Sequence, residues 1–180
     1  MKNLTNKLSN LRLLGLVLCG LVLSGCSQEP EVLTGPFLLR DGITYHQDTN
    51  EPVTGIVEEL YSNGQLRKRE NLIDGKQDGV NETYYENGQL WTRLTYIDGE
   101  PEGLSEWFHE NGRLWMKSTY IDGEQEGLWE YFDLYGQLIF RGNYKDGKKD
   151  GLEETFDQNG NLYETQTFRN GELIEENNNP

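Results

Sequence analysis

Cysteine is almost absent from this chain: of 180 residues only Cys19 and Cys26 carry a thiol, and both lie close to the N-terminus. Everything downstream is therefore without a disulfide framework or a thiolate metal site, and must be held by strands and packing. Histidine is equally scarce. His46 stands alone, and His109 occupies a place that parallel stretches fill with Tyr61, Tyr85, Asp133 and Asp157. No constellation for a nucleophile elbow, a phosphate loop or a zinc site accompanies either one. Cations are outnumbered, with 16 Lys and Arg against 31 Asp and Glu and a formal charge of −15. Binding phosphates requires Lys or Arg, so this balance disfavours nucleic acid and anionic lipid and favours a basic partner. Long hydrophobic runs are missing too, since the apolar stretch from Leu13 to Leu23 is too short to span a bilayer.

The sequence does contain a processing signal. Lys2, Lys7 and Arg12 precede the apolar run, which ends in Leu23-Ser24-Gly25-Cys26. That tetrad resembles the lipobox of bacterial lipoproteins, in which the cysteine thiol is acylated and becomes the first residue of the mature chain. The resemblance implies a signal peptide over residues 1–25 and a lipidated Cys26. Removing that segment deletes three cations and no anion, so the mature chain is still more acidic. Several acyl chains on one cysteine give durable anchoring. Ser27, rather than Asp, follows the cysteine, which by the same resemblance points to the outer membrane. Residues 26–36 read as the lipidated cysteine and a polar tether, and residues 175–180 as a disordered tail.

Between them one phrase recurs every 24 residues: YSNGQL at 61, YENGQL at 85, HENGRL at 109, DLYGQL at 133 and DQNGNL at 157. Five units without insertion follow, 55–78, 79–102, 103–126, 127–150 and 151–174, after a degenerate cap at 37–54. Glycine opens each unit, returns at a first turn (Gly64, Gly88, Gly112, Gly136, Gly160) and again at a second. Asn-Gly and Asp-Gly pairs are hairpin-turn chemistry. Segments between glycines are too short and too alternating for helices. The expected fold is all-β: an elongated, single-sheet antiparallel β-meander of five hairpin repeats.

The first turn sets which side chains share a face, because a one-residue shift moves a strand's side chains across the sheet. A three-residue loop, Glu86-Asn87-Gly88, with glycine left-handed, would place Val80, Tyr84, Leu90 and Tyr96 on one side. The next units would add Leu104, Phe108, Leu114 and Tyr120, then Leu128, Phe132, Leu138 and Tyr144, then Leu152, Phe156, Leu162 and Phe168. Trp91, Arg93 and Thr95 would lie opposite. The glutamates recurring as Glu58, Glu82, Glu106, Glu130 and Glu154 are expected to pair with Arg69, Arg93, Lys117 or Arg141, because a carboxylate beside an apolar row is costly unless bonded.

The pattern Gly-x-x-Glu-x-aromatic, then Asn-Gly-x-Leu, then Tyr-x-Asp-Gly, resembles the bacterial variant of the MORN repeat, the membrane occupation and recognition nexus motif. The resemblance covers residues 55–174. It implies a ladder of hairpins acting as a scaffold for protein association, and proteins of this variant are often labelled antitoxin components. The expectation is thus a non-enzymatic, lipid-anchored envelope protein that binds a protein partner or itself and touches the membrane only through its N-terminal lipid. No nucleic acid, cofactor or metal is expected. The alternative is an antitoxin-like or immunity protein that neutralises a basic toxin. Trp91, Trp107, Trp115 and Trp129, gathered in the middle units, are the candidate binding residues, since a single sheet cannot bury both faces by itself.

Overall fold

The computed structural model describes residues 32–33 and 35–178. Five antiparallel hairpins follow one another: Gly55–Leu60 with Leu66–Ile73, Gly79–Tyr84 with Leu90–Ile97, Gly103–Phe108 with Leu114–Ile121, Glu124–Phe132 with Leu138–Lys145, and Gly151–Phe156 with Leu162–Arg169. Each also pairs with the next, giving one long meander sheet. Among the described residues no helix is long and apolar enough to cross a membrane.

Two turns of different geometry alternate. In the first, the Tyr85 amide donates to the Gln89 carbonyl (2.8 Å) and the Gly88 amide to the Tyr85 carbonyl (2.9 Å), with Gly88 at φ 85°. The loop is Glu86-Asn87-Gly88, and the αL value at its end is one that a side chain resists. The second turn is a two-residue Asp-Gly loop in which both φ values are positive, 52° at Asp98 and 90° at Gly99. That combination suits the right-handed twist of the flanking strands.

A bulge corrects the expected apolar face. Tyr84 lies across from Leu90 but Thr83 lies across from Thr92, so Trp91 has no partner of its own. Arg67, Trp115, Ile139 and Tyr163 are skipped in the same way. Beyond the bulge the alternation is displaced by one residue. Arg93 therefore faces Glu82, and Tyr96 faces Gly79. The column Tyr96, Tyr120, Tyr144 and Phe168 sits opposite the opening glycines, on the reverse side from Val80, Leu104, Leu128 and Leu152. Arg93 and Thr95, expected beside Trp91, share the face of Val80 instead.

Buried apolar side chains concentrate at the N-terminal end, where Val53, Val57 and Leu72 pack with Leu33 and Phe37. Along the later repeats the most enclosed residues are polar, with Ser105 and its cross-strand partner Ser118 almost fully buried and Glu153 buried against Lys149. Small side chains fit this central column because Trp107 and Met116 rise on one flank and Tyr120 on the other.

The cap is a separate hairpin, Phe37–Arg40 with Ile43–His46, docked through the Thr44 amide on the Gly75 carbonyl (2.8 Å). Both ends of the described region depart from expectation. Val32–Leu33, expected in the tether, pairs in parallel with Ile56 and Val57. Residues 175–178, expected to be disordered, belong to the strand Glu172–Asn178 that pairs with Leu162–Arg169. Pairing at both places satisfies amides and carbonyls that an open strand edge would leave unused. The expected signal peptide and Cys26 lie outside the described residues.

Candidate binding faces of the sheet

The bulge gathers the tryptophans on one face. Trp115, at the bulge of the third hairpin, lies edge-on to Tyr131 of the fourth, with ring centroids 5.8 Å apart. Tyr131 in turn meets Trp129 at 4.9 Å. Trp129 also packs on Phe140 (4.7 Å) and Tyr144 (5.7 Å). Trp107 occupies the same place in its hairpin as Tyr131 and lies between Thr92 and Met116. Trp91 repeats Trp115 one unit earlier, 6.0 Å from Tyr85, and remains 44% exposed. All four tryptophans thus belong to one aromatic surface, with Trp129 at its packed centre and Trp91 at its open end.

The opposite face carries the glutamate column, and each member has a cation. Arg69 donates to Glu58 at 2.8 Å, Lys117 lies 2.6 Å from Glu130, and Arg141 pairs with Glu154. Arg93 reaches two units, Glu82 at 3.0 Å and Glu106 at 3.5 Å. Burial works to raise the Glu82 carboxyl, but hydrogen bonds from Tyr84 and Arg93 outweigh it and hold the group below the usual carboxylate range. Burial and the same bond to Glu82 push the Tyr84 hydroxyl up to about 12. Among the described residues no group of three or more His, Cys, Asp and Glu side chains is placed to hold a metal ion.

Hydrogen bonds between successive hairpins account for several recurring columns. The Tyr61 hydroxyl donates to the Tyr84 carbonyl (2.6 Å) and the Tyr85 hydroxyl to the Phe108 carbonyl (2.8 Å). His109 Nε2 takes the same place, 3.0 Å from the Phe132 carbonyl. Asn87 Nδ2 donates onward to the Glu110 carbonyl (3.0 Å), while its Oδ1 accepts the Gln89 amide (2.9 Å). Where the fourth hairpin has Tyr135 in place of asparagine, Asp133 caps the turn instead, accepting the Tyr135 and Gln137 amides. Those amides hold its carboxyl below the usual range, the Gln137 bond contributing most. The second turns are also stacked. Glu102 accepts the Asp122 amide and Glu126 the Asp146 amide, both at 2.9 Å. These bonds were hidden in the sequence, although the 24-residue recurrence of an acid before four of the five opening glycines, with Thr54 before the first, was a usable signal.

Comparison with protein families matches four segments, 77–98, 101–122, 125–146 and 149–170, to the MORN repeat variant. Residues 77–170 are MORN-variant repeats. Each match ends on the first residue of the second turn, Asp98, Asp122, Asp146 or Asn170. The hairpin Gly55–Ile73 precedes the matched segments and shares their bulge and both turns. No curated protein matches the chain. Among solved structures, a mutant of S. aureus TarM in complex with fondaparinux, alpha-GlcNAc-glycerol and UDP is 12% identical with a TM-score of 0.37, and a second TarM structure is 12% identical with a TM-score of 0.36. Each match covers 67% of this chain and 21% of the TarM chain, so the protein spans about a fifth of the length of those structures.

Proposed function

We propose that these MORN-variant repeats act as a protein-binding scaffold, without catalysis, anchored to the bacterial envelope by lipid on Cys26. The observation that carries the reading is the gathering of Trp91, Trp107, Trp115 and Trp129 on one face of a single-layer sheet, with Trp91 44% exposed. Aromatic side chains on an uncovered face contribute large contact areas at low entropic cost, and they recur at protein interfaces. The tetrad ending at Cys26, with Ser27 after it, supports an outer-membrane lipoprotein. The formal charge of −15 favours a second reading, an immunity protein that neutralises a basic toxin.

In-cell crosslinking of the full-length protein, followed by mass spectrometry of the captured material, tests both. Under the scaffold reading, one protein or a second copy is captured, and the capture is lost in Trp91→Ala/Trp115→Ala. An unchanged profile in that variant rules out the tryptophan face as the binding surface. A basic toxin as sole captive, with rescue of its toxicity, selects the second reading. Cys26→Ala should shift the protein from the membrane to the soluble fraction, and continued membrane sorting would overturn the lipid anchor.

A further inference from the structure

The face opposite the tryptophans is uncovered along one line. Val80, Leu104, Leu128 and Leu152, one residue into each hairpin, are each roughly half exposed. So are Ile73, Ile97 and Ile121, the last residues before the second turn. The register puts both sets on the same side, Leu104 across from Thr119 and Ile121 across from Glu124. The result is a staggered aliphatic stripe from Ile73 to Leu128, beyond which Lys145 and Arg169 take the isoleucine column. On its inner flank run the pairs of glutamates with Arg69, Arg93, Lys117 and Arg141, which largely neutralise one another.

The outer flank is different. Ile97 with Asp98, Glu100, Glu102 and Asp122 lines a hollow of about 340 Å³, and Ile121 with Asp122, Glu124, Glu126 and Asp146 lines another of about 420 Å³. Each hollow is an exposed isoleucine among four carboxylates, the two are one repeat apart, and Lys76 Nζ reaches the rim of the first, 3.5 Å from Asp98. A line of exposed aliphatic side chains rimmed by charge marks an interaction surface, here with Thr95 and Thr119 between its leucines and valine. A second copy would bring two acidic rims together, and an anionic membrane would meet the same repulsion. A basic polypeptide does not.

Spacing selects the form of that polypeptide. Successive hairpins advance by two strands, about 10 Å at the usual interstrand distance. Seven residues of α-helix advance about 10.5 Å. A lysine stem can lie along an isoleucine while its ammonium reaches the surrounding carboxylates. We propose that this stripe seats a basic amphipathic helix of a partner protein, running across the strands with one heptad per repeat. Its apolar positions meet Leu104 and Leu128, and its Lys or Arg side chains enter the hollows over Ile97 and Ile121. This inference deepens the protein-scaffold reading and rests on it, but uses the face away from the tryptophans.

The test is direct binding of the full-length protein in detergent to a synthetic peptide of about three heptads, leucine on one helical face and lysine on the other. A peptide of the same composition, scrambled so that no face forms, is the control. The helical peptide should bind about tenfold tighter than the scrambled one, gain helicity on binding, and lose about tenfold in affinity to Ile97→Ser/Ile121→Ser. Leu134→Ser, exposed at the first-turn edge, should bind as the wild type does, and equal urea midpoints should show that all variants are folded. Equal binding of the scrambled peptide, or unchanged binding by the isoleucine variant, overturns the proposal. So does self-association through the same isoleucines, or loss of the peptide in Trp91→Ala/Trp115→Ala. Because crosslinking reads the tryptophan face separately, a failed peptide alongside a partner lost in the tryptophan variant would sink this inference and leave the scaffold reading standing.

Discussion

Trp129 lies directly across from Gly142, and the two fit only because one of them has no side chain. A Cβ on Gly142 would come within 2.8 Å of Trp129 Nε1 and 2.8 Å of Glu153 Cγ. Unlike the turn glycines, Gly142 has no positive φ, so the constraint here is space alone. The aromatic centre of Trp129, Tyr131, Phe140 and Tyr144 rests on that absence. Gly142→Ala should therefore destabilise the fold by about 1–3 kcal/mol through overpacking. Combining it with Trp129→Leu should recover part of the loss, because the two changes share one space. Urea midpoints of the two single variants and the double variant check this, and simple additivity would show that the contact is not what limits the site.

His109 stands in the column that Tyr61 and Tyr85 fill in the earlier hairpins. It performs the bond that Tyr61 and Tyr85 perform, from a ring nitrogen to a main-chain carbonyl of the next hairpin. His109→Tyr should be close to neutral, whereas His109→Ala should cost about 1 kcal/mol for the lost bond. Gly112, in the turn that follows, is at φ 80°. Gly112→Val forces a β-branched side chain into that region, at roughly 1–2 kcal/mol for the backbone alone, so it should destabilise more than His109→Ala. Thermal melts of the three variants give the order, and comparable melting temperatures for Gly112→Val and His109→Ala would count against the turn assignment.

Much of this architecture was legible because period, glycine and turn chemistry agree. The repeat length, the three-residue loop at Glu86-Asn87-Gly88 and the pairing of the glutamate column with Arg69, Arg93, Lys117 and Arg141 all follow from local rules. The bulge at Trp91 was not legible. It changes the face of every residue from Arg93 to Tyr96 without altering the length of the unit, so no spacing reports it. The same shift explains why the tyrosine column belongs with the tryptophans. At the chain ends the sequence is polar, and polarity alone does not separate a free tail from a strand that closes a sheet edge, as Glu172–Asn178 does.

Among the described residues, Arg93 is the one cation paired with glutamates of two hairpins, Glu82 and Glu106. Glu82 keeps only 16% of its side chain exposed, whereas Glu59, paired with Arg67, keeps 46%. Removing Arg93 leaves two partly enclosed carboxylates without their cation, while removing Arg67 leaves one that water already reaches. Arg93→Met should therefore cost more than 1 kcal/mol or so, and Arg67→Met less than about 0.5 kcal/mol. Chemical denaturation at low and high salt separates them. Equal losses would mean that the Glu82–Arg93–Glu106 link is no stronger than a surface pair.

The Glu82–Tyr84 pair also predicts how stability varies with pH. The Glu82 carboxyl is held below its ordinary value, so its contribution is present above the unfolded pKa and is lost as pH falls through the folded one. The Tyr84 hydroxyl is pushed the other way, to about 12 from an ordinary 10.0. Between those values the unfolded chain gives up the proton and the folded chain keeps it, so stability falls as pH rises across that window. Burial raises Tyr96 and Tyr120 as well, so the decline is shared. Tyr84→Phe removes one titrating group and should flatten the alkaline limb between pH 10 and 12 without abolishing it. Its acid limb should persist, since Arg93 still holds Glu82 in the charged form. Urea midpoints of the wild type and Tyr84→Phe, taken from acid to alkaline pH, decide the point: coincident alkaline limbs would show that Tyr84 ionises as freely in the fold as outside it.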